Sequence, residues 1–125
     1  TYECMMLGIE EVKPGAPFRN IGKAIEKHAH AHNYSVVQDF CGHGVGLSLH
    51  EAPQVLHYDS PMVTEIMEPG MIFTIEPMIN VGRPGVKVLG DGWTAVTRDR
   101  SLTAQWEHAI LVTEDGYEIL SLPTQ

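Results

Sequence analysis

The chain has 125 residues, of which 43% are hydrophobic and 19% are charged, and its formal net charge is −8. These proportions are typical of a globular domain, or of one lobe of a larger domain, and they exclude a disordered chain. The acidic balance offers no basic patch for nucleic acid, and no apolar run approaches the roughly 20 residues that a membrane-spanning helix requires.

Two helices are predicted at the start of the chain. Apolar residues fall at helical spacing from the first residues onward, at positions 2, 5, 6, 9 and 12. The first helix is expected to reach about Lys13 and to end at Pro14-Gly15. The second helix is expected to begin at Pro17 and to end near Asn33, which can adopt a left-handed conformation. Its apolar stripe consists of Phe18, Ile21, Ile25 and Ala29.

From Ser35 the apolar residues follow the alternation of β-strands. A strand over Val36–Cys41 is followed by glycines at 42, 44 and 46, which allow the backbone to turn or to approach another segment closely. Two longer strands are predicted over Met71–Ile79 and Thr103–Thr113. One face of each strand carries polar side chains among apolar ones: Ile72, Thr74, Glu76 and Met78 on the first, and Gln105, Glu107 and Ala109 on the second.

The remaining segments alternate between short strands and turns. The strands are predicted at Val86–Leu89, Trp93–Thr97 and Tyr117–Leu122. The turns are predicted at Glu68-Pro69-Gly70, Arg83-Pro84-Gly85, Gly90-Asp91-Gly92 and Glu114-Asp115-Gly116. Two helices followed by a mostly antiparallel sheet indicate an α+β lobe.

Glu76 and Glu107 lie within apolar, strand-like runs. A bare carboxylate buried in such a run would cost several kcal/mol in desolvation, so each one needs a proton or a cation. Together with His43, which lies between two glycines, they form a set of one imidazole and two carboxylates that a divalent metal prefers. The alternatives are a hydrogen-bonded turn histidine, and buried salt bridges to a basic residue such as Arg83 or Arg98.

Two other groups of side chains could carry chemistry. His28 and His32 are four residues apart on the second helix and could clamp a metal, but a solvated polar face is preferred because no carboxylate or cysteine joins them. Cys41 near His43 could be a thiol nucleophile, but a small core residue is preferred because the two would point in parallel on a strand. Cys4 and Cys41 form neither a disulfide framework nor a zinc motif, which suits a reducing cytoplasm.

Five stretches of the chain share a pattern that is known from one family. They are Cys41–Gly46, His50–Tyr58, Pro69–Met78, Asp91–Thr97 and Gln105–His108. In order and spacing they closely resemble type I methionine aminopeptidases, and the resemblance covers nearly all of the chain. It implies that residues 1–125 are the C-terminal lobe of that catalytic domain, which has the "pita-bread" fold of two similar α+β lobes around a dinuclear metal centre.

The resemblance also implies a role for each matching residue. His43 and Glu76 would bind one metal, Glu107 would bridge both metals, and Glu76 would also pass a proton to the product amine. His50 would hydrogen-bond the scissile peptide group and stabilise the tetrahedral intermediate. The pocket for the methionine side chain would be lined by Leu49, Met78 and Trp93, and Gln105 would support the site from behind the ligands.

The implied activity is removal of the initiator methionine from nascent proteins when the next residue is small. The cofactors would be two divalent ions, of cobalt, manganese, iron or zinc, that activate water. The partners would be the N-terminal methionine of peptides and nascent proteins in the cytoplasm, without nucleic acid or membrane.

Part of this site is expected to lie outside the chain. The family completes its metal centre with two aspartates on an upstream strand. These two aspartates are absent from this chain, because Asp39, Asp59, Asp91 and Asp99 match none of that motif. Because the chain begins at Thr1 with helical spacing already under way and no initiator Met, we expect a preceding N-terminal lobe that supplies both ligands, and little activity without it.

Two residues depart from the family pattern. The family usually carries Arg and Phe where this chain has Leu47 and Leu49. Leu49 keeps an apolar pocket wall but loses the aromatic ring, so methionine recognition is expected to loosen. The alternative function is therefore a non-catalytic pita-bread module for protein interaction, against which stands the presence of every metal ligand that this chain could supply.

Overall fold

The computed structural model describes residues 1–38, 41–44, 51–82, 85–88, 95–97 and 102–121, with the backbone alone described for residues 43, 51–54, 87–88 and 95–97. Two helices come first, α1 (Tyr2–Glu10) and α2 (Arg19–Ala31). The strands of the described residues are β1 (Ser35–Val36), β2 (Gly42–Gly44), β3 (Glu51–Val55), β4 (Ile72–Ile75), β5 (Met78–Asn80), β6 (Val86–Val88), β7 (Ala95–Thr97), β8 (Thr103–Gln105), β9 (His108–Val112) and β10 (Tyr117–Ile119).

The first helix is confirmed but is shorter than predicted. It ends at Glu10 instead of about Lys13. The Glu11 N–H turns back onto the carbonyl oxygen of Gly8 at 3.1 Å, a tight turn that closes the helix before the prolyl breaker is reached.

The second helix is also confirmed, and it begins at Arg19 instead of Pro17. Pro17 is drawn away from the helix by a β-bridge to Ile66. Asn33 has a φ of 62°, the left-handed conformation predicted for the helix end. The whole predicted stripe is buried: Phe18, Ile21, Ile25 and Ala29.

Within the described strands every pairing is antiparallel, as the sequence predicted. A five-stranded sheet has the order β10-β9-β4-β2-β3, a three-stranded sheet has the order β1-β5-β8, and β6 pairs with β7. The helices cover the five-stranded sheet, where the ring of Phe18, the residue immediately before α2, meets the ring of Phe73 on β4 edge to face at 4.9 Å. The core therefore lies between the helix pair and this sheet.

The prediction of two uninterrupted strands is wrong. The segment Met71–Ile79 divides into β4 and β5 around Glu76-Pro77, and Thr103–Thr113 divides into β8 and β9 around Trp106-Glu107. β4 pairs with β9 in one sheet, and β5 pairs with β8 in the other. Pro77 has no N–H to donate to a ladder, which gives a physical reason for the break on the first strand.

The two ladders keep one register across the breaks. On one side Ile75 lies opposite His108, and on the other side Met78 lies opposite Gln105. Two residues on each chain segment separate these pairs, so Glu76 and Glu107 occupy matching positions. The breaks therefore coincide, and each one contains one of the two predicted carboxylate ligands.

In the glycine segment that follows β1, the described residues Gly42–Gly44 form a strand, and Gly46 lies outside the described residues. Of the strand predicted over Val36–Cys41, β1 (Ser35–Val36) includes only Val36, and residues 39–40 lie outside the described residues. β2 runs from Gly42 to Gly44. The close approach that the glycines suggested is confirmed at Gly42, where an added Cβ would lie 2.0 Å from the carbonyl oxygen of Thr74.

Two of the predicted turns are confirmed. The Met71 N–H donates to the Glu68 carbonyl at 3.2 Å, and the Thr113 N–H donates to the Gly116 carbonyl at 3.0 Å. The predicted turns at 83–85 and 90–92 lie partly or wholly outside the described residues. In the part of the chain that the structure describes, no helix is long and apolar enough to cross a membrane.

Candidate functional site

The candidate site begins with the carboxylate of Glu76, at the break between β4 and β5. The Thr74 hydroxyl donates a hydrogen bond of 2.9 Å to Glu76 Oε1. Thr74 is only 4% exposed, and its neighbours on β4 are buried, so its side chain is held by the sheet. A carboxylate oriented in this way is ready to act as a ligand or as a proton carrier.

The backbone of Glu76 is also held by side chains. Its N–H donates to His57 Nε2 at 3.1 Å. Its carbonyl accepts a longer hydrogen bond, of 3.4 Å, from Gln105 Nε2. At the break, side chains therefore supply hydrogen bonds that a sheet would supply elsewhere, which keeps the interruption at a fixed place.

His57 is 1% exposed, and this burial lowers its pKa from an ordinary value of 6.5 to about 4. The imidazole is consequently neutral at physiological pH, with a lone pair on Nε2 for the Glu76 N–H. Sequence reasoning missed both His57 and the role of Thr74. The available signal was Pro77, which shows that the strand cannot continue and that Glu76 needs partners outside the ladder.

Glu107 lies in the second break and is exposed. Its neighbour Trp106 is 50% exposed and contacts the ring of Tyr2 edge to face at 5.1 Å. Glu76 is half-buried. The expectation that both carboxylates lie in buried strand interiors is therefore wrong, because each sits at a strand break that solvent can reach.

Arg83 and Arg98, the salt-bridge partners of the alternative interpretation, lie outside the described residues. His43 is placed by its backbone in β2. Gly44 pairs with Phe73 in the antiparallel β2–β4 ladder, so His43 is next to Thr74, two residues before Glu76. Three strands thus bring the predicted ligand positions to one region of the molecule.

The other predicted site residues lie partly within and partly outside the described residues. Met78 and Gln105 lie opposite each other just past the break, on β5 and β8. Leu49, His50 and Trp93 lie outside the described residues, as does Leu47. Among the side chains that the structure describes, no three of His, Cys, Asp or Glu are placed to hold a metal ion, and the His43 imidazole is not among those side chains.

The donor set nevertheless fits a divalent ion. Matching register positions place Glu76 and Glu107 opposite each other on the two chain segments, and the backbone of His43 in β2 lies next to Thr74. Glu76 is half-buried and Glu107 is exposed, so solvent reaches both residues. One imidazole and two carboxylates are suitable ligands for borderline and hard cations. Further ligands would have to come from outside the described residues.

The thiol of Cys41 lies close enough to Glu76 for the charge of that carboxylate to affect its pKa. Burial, and secondarily the charge of Glu76, raise the pKa of Cys41 above its ordinary value. A raised pKa keeps the group as a thiol, and only a thiolate is a good nucleophile. This supports the preference for a structural role over a nucleophilic one.

The expectation that no carboxylate joins His28, on α2, and His32, at its C-terminal end, is wrong. His28 Nε2 lies 3.0 Å from Glu3 Oε2 on α1, so a carboxylate does join this group. The His28 and His32 rings are in contact, with centroids 4.7 Å apart. The His28–Glu3 contact joins α2 to α1 at the protein surface. In sequence it is remote from the strand breaks that contain Glu76 and Glu107.

Comparison with known proteins agrees with this architecture. A methionine aminopeptidase of Salmonella typhimurium is 54% identical over 122 residues, which are 98% of this chain and 46% of that protein. Methionine aminopeptidase A of Synechocystis is 55% identical, over 98% of this chain and 48% of that protein. The chain thus spans about half the length of the curated relatives that it matches.

Among solved structures, a methionine aminopeptidase from Rickettsia prowazekii superposes with a TM-score of 0.93 at 50% identity, over 98% of this chain and 50% of that one. This likeness confirms the predicted α+β lobe of the pita-bread type. The model of metallopeptidase family M24 matches residues 1–114 of the 125. The chain therefore belongs to metallopeptidase family M24.

Proposed function

We propose that this chain is the C-terminal lobe of a methionine aminopeptidase, which releases the initiator methionine from nascent proteins when the next residue is small. The observation that carries the proposal is the coincidence of the two strand breaks, which sets Glu76 and Glu107 at matching positions beside the strand of His43. Relatives of that name, more than half identical over nearly the whole chain, support it. Because the chain spans about half of their length, activity is expected of a protein that also contains an N-terminal lobe.

The metal centre would hold two divalent ions, of manganese, cobalt, iron or zinc. When bound, such ions polarise the scissile carbonyl and lower the pKa of water. His43 and Glu76 would hold one ion, Glu107 would bridge both, and two aspartates of the N-terminal lobe would complete the ligand set. The composition of the donor set does not favour one of these metals over the others.

The side chains around the metals would divide the remaining work. The Glu76 carboxylate would accept a proton and return it to the product amine, while Thr74 keeps the carboxylate in one orientation. His50 would hydrogen-bond the scissile peptide group. Methionine recognition would fall to Leu49, Met78 and Trp93, and Gln105 would steady the Glu76 backbone. Both cysteines are free, which suits the reducing cytoplasm where nascent chains are made.

The test uses the two-lobed protein with Mn²⁺ or Co²⁺ and the tripeptides Met-Ala-Ser and Leu-Ala-Ser. Methionine release is expected from the first peptide and far less from the second. Glu107→Gln should lower kcat/KM by at least about a hundredfold, because a neutral amide cannot replace a bridging carboxylate. Glu118→Gln, an exposed glutamate on β10, is the matched control and should change little.

Native mass spectrometry completes this test. We expect the active species to contain both lobes and two metal ions, and this chain alone to bind little metal. Stoichiometric metal with no peptide hydrolysis would contradict the enzymatic proposal and favour the interaction module.

A further inference from the structure

A third histidine, His57, which is assigned neither to the metals nor to the substrate, contacts the Glu76 backbone. His57 lies two residues beyond β3, and its Nε2 accepts a hydrogen bond from the Glu76 N–H at 3.1 Å. The bond joins segments that are 19 residues apart in the chain. It meets Glu76 immediately before Pro77, where the ladder changes from one sheet to the other.

The segment that carries His57 is fixed from its other side by α2. Gly22 approaches it so closely that an added Cβ would lie 2.2 Å from the Tyr58 carbonyl oxygen. Arg19, at the start of α2, donates through Nε and Nη2 to the two carboxylate oxygens of Asp59. The same Cβ at Gly22 would lie 2.8 Å from the Leu56 carbonyl oxygen, so α2 contacts the backbone on both sides of His57. These contacts hold the segment that carries the imidazole in place.

The chemistry of this contact specifies what His57 must provide. A backbone N–H donates, so its partner nitrogen must carry a lone pair, and the imidazole must be the neutral tautomer protonated on Nδ1. Because proline fixes φ at position 77 and gives no N–H, the backbone there cannot restore a regular ladder. If the acceptor were lost, the Glu76 peptide would have to shift in order to satisfy its N–H elsewhere.

We propose that His57 is a positioning residue for Glu76, and that its Nε2 sets where the strand break falls and so where the Glu76 carboxylate meets the metal. The proposal rests on the proposed metal-dependent function for its consequence, but its structural part does not require a metal. Thr74 orients the carboxylate from the side-chain end, and His57 fixes the same residue from the backbone end. A ligand held at both ends loses little freedom when it binds an ion.

The direct test uses the unsubstituted two-lobed protein without metal, labelled with ¹⁵N. A through-hydrogen-bond ¹⁵N–¹⁵N coupling is expected between the Glu76 amide and His57 Nε2. A resolved Glu76 amide without that coupling would overturn the proposal. This measurement requires no variant, so it stands even if a substitution at the buried site prevents folding.

The functional consequence is tested with His57→Gln, whose Oε1 can replace Nε2 as acceptor, and His57→Phe, which fills the space without an acceptor. His57→Phe is expected to weaken Mn²⁺ binding by about tenfold in calorimetry and to lower kcat more than it changes KM. His57→Gln should recover most of both losses. Ile25→Val, a buried core change on α2, is the control for lowered stability and should leave Mn²⁺ affinity unchanged.

The results separate the two proposals. Equal Mn²⁺ affinity and kcat in His57→Phe and His57→Gln would overturn the positioning role. If the unsubstituted protein binds Mn²⁺ but hydrolyses no peptide, the proposed function fails, while the coupling and the affinity difference still decide the role of His57.

Discussion

At the scale of single residues, Glu76 is held by hydrogen bonds from two buried side chains, one to its carboxylate and one to its backbone. Thr74 holds Oε1 of the carboxylate at 2.9 Å, and His57 holds the backbone N–H at 3.1 Å. Both partners are almost fully buried, whereas Glu76 itself is half-buried. The half-buried Glu76 is thus supported by residues that solvent does not reach, an arrangement that would keep its carboxylate in place for the proposed metal.

Thr74→Val should therefore weaken metal binding without unfolding the sheet. Valine has nearly the same shape and favours strands, but it cannot donate to Glu76 Oε1. We expect several-fold lower Mn²⁺ affinity in the two-lobed protein, and a loss of about 1 kcal/mol in the free energy of unfolding from one hydrogen bond. Thr74→Ser, which keeps the hydroxyl, should bind Mn²⁺ almost as the unsubstituted protein does. Equal affinities for the Val and Ser variants would show that this bond does not orient the ligand.

The burial of His57 predicts a specific pH dependence of stability. Its pKa is about 4 in the folded protein and 6.5 as an ordinary value, so only the unfolded chain takes up the proton between these two pH values. Stability is then unaffected by this group above pH 6.5 and falls as the pH drops from 6.5 towards 4. The full loss is about 3 kcal/mol, and about 2 kcal/mol of it is expected at pH 5.

Urea unfolding of the two-lobed protein at pH 7 and pH 5 checks this prediction. Carboxylates also titrate towards acid pH, so the informative quantity is the difference between the unsubstituted protein and His57→Gln, which lacks the titrating group. The unsubstituted protein should lose more stability on acidification. Identical losses in the two proteins would mean that His57 does not titrate with a lowered pKa.

Residue-level expectations from the sequence succeed and fail for identifiable reasons. The prediction that both carboxylates are buried is wrong because it assumed continuous strands. At the strand breaks Glu76 is half-buried and Glu107 is exposed. His57 was missed because its hydrogen-bond partner is a backbone N–H, and every residue except proline has one, so the sequence does not indicate which one it contacts. The roles of His43, Glu76 and Glu107 as ligands stay predictions.

At the scale of elements, the defining feature is that two antiparallel chain segments, β4–β5 and β8–β9, both pass from one sheet to the other at the same register position. β4 and β9 leave the five-stranded sheet where β5 and β8 enter the three-stranded one, and the register does not slip. Sequence periodicity could not detect this change, because apolar and polar residues keep alternating through an interruption that inserts no residue. The helices were predictable, since their apolar faces repeat at helical spacing and end at recognisable breakers.

The close approach of β2 and β4 predicts that Gly42→Ala is strongly destabilising. The new Cβ would lie 2.0 Å from the Thr74 carbonyl oxygen, which belongs to the backbone and cannot move aside alone. We expect a loss of at least about 2 kcal/mol in the free energy of unfolding, together with weaker metal binding, because His43 and Thr74 must move apart.

Gly116→Ala is the matched control for this substitution, since nothing lies within 4 Å of a Cβ added there. Thermal unfolding of the two variants provides the comparison. A Gly42→Ala protein with the same midpoint as Gly116→Ala would mean that the two strands are not in close contact at this point.

At the scale of the whole molecule, this lobe presents large apolar side chains around its three-stranded sheet. Leu102 is 79% exposed, Val81 is 51% exposed and Trp106 is 50% exposed. Leu102 and Val81 line, with Tyr34, a surface depression of about 360 Å³. Among the described strands, β8 pairs only with β5, so one edge of β8 remains for another segment. Exposed apolar groups beside an open strand edge favour association with a second surface.

Because exposed apolar residues line this depression, we predict that the 125-residue chain does not remain a monomer by itself. It should self-associate at high concentration, or form a stable complex when an N-terminal lobe from a relative such as the Salmonella typhimurium protein is supplied. Leu102→Lys should reduce self-association, because a charge in the apolar patch opposes burial. Thr64→Lys, at an exposed position outside the patch, adds the same charge and should not. Light scattering after gel filtration measures all three proteins. A monodisperse monomer at high concentration that also ignores the added lobe would show that this face is not an interface, and the two-lobed arrangement on which the proposed function rests would then lose its structural basis.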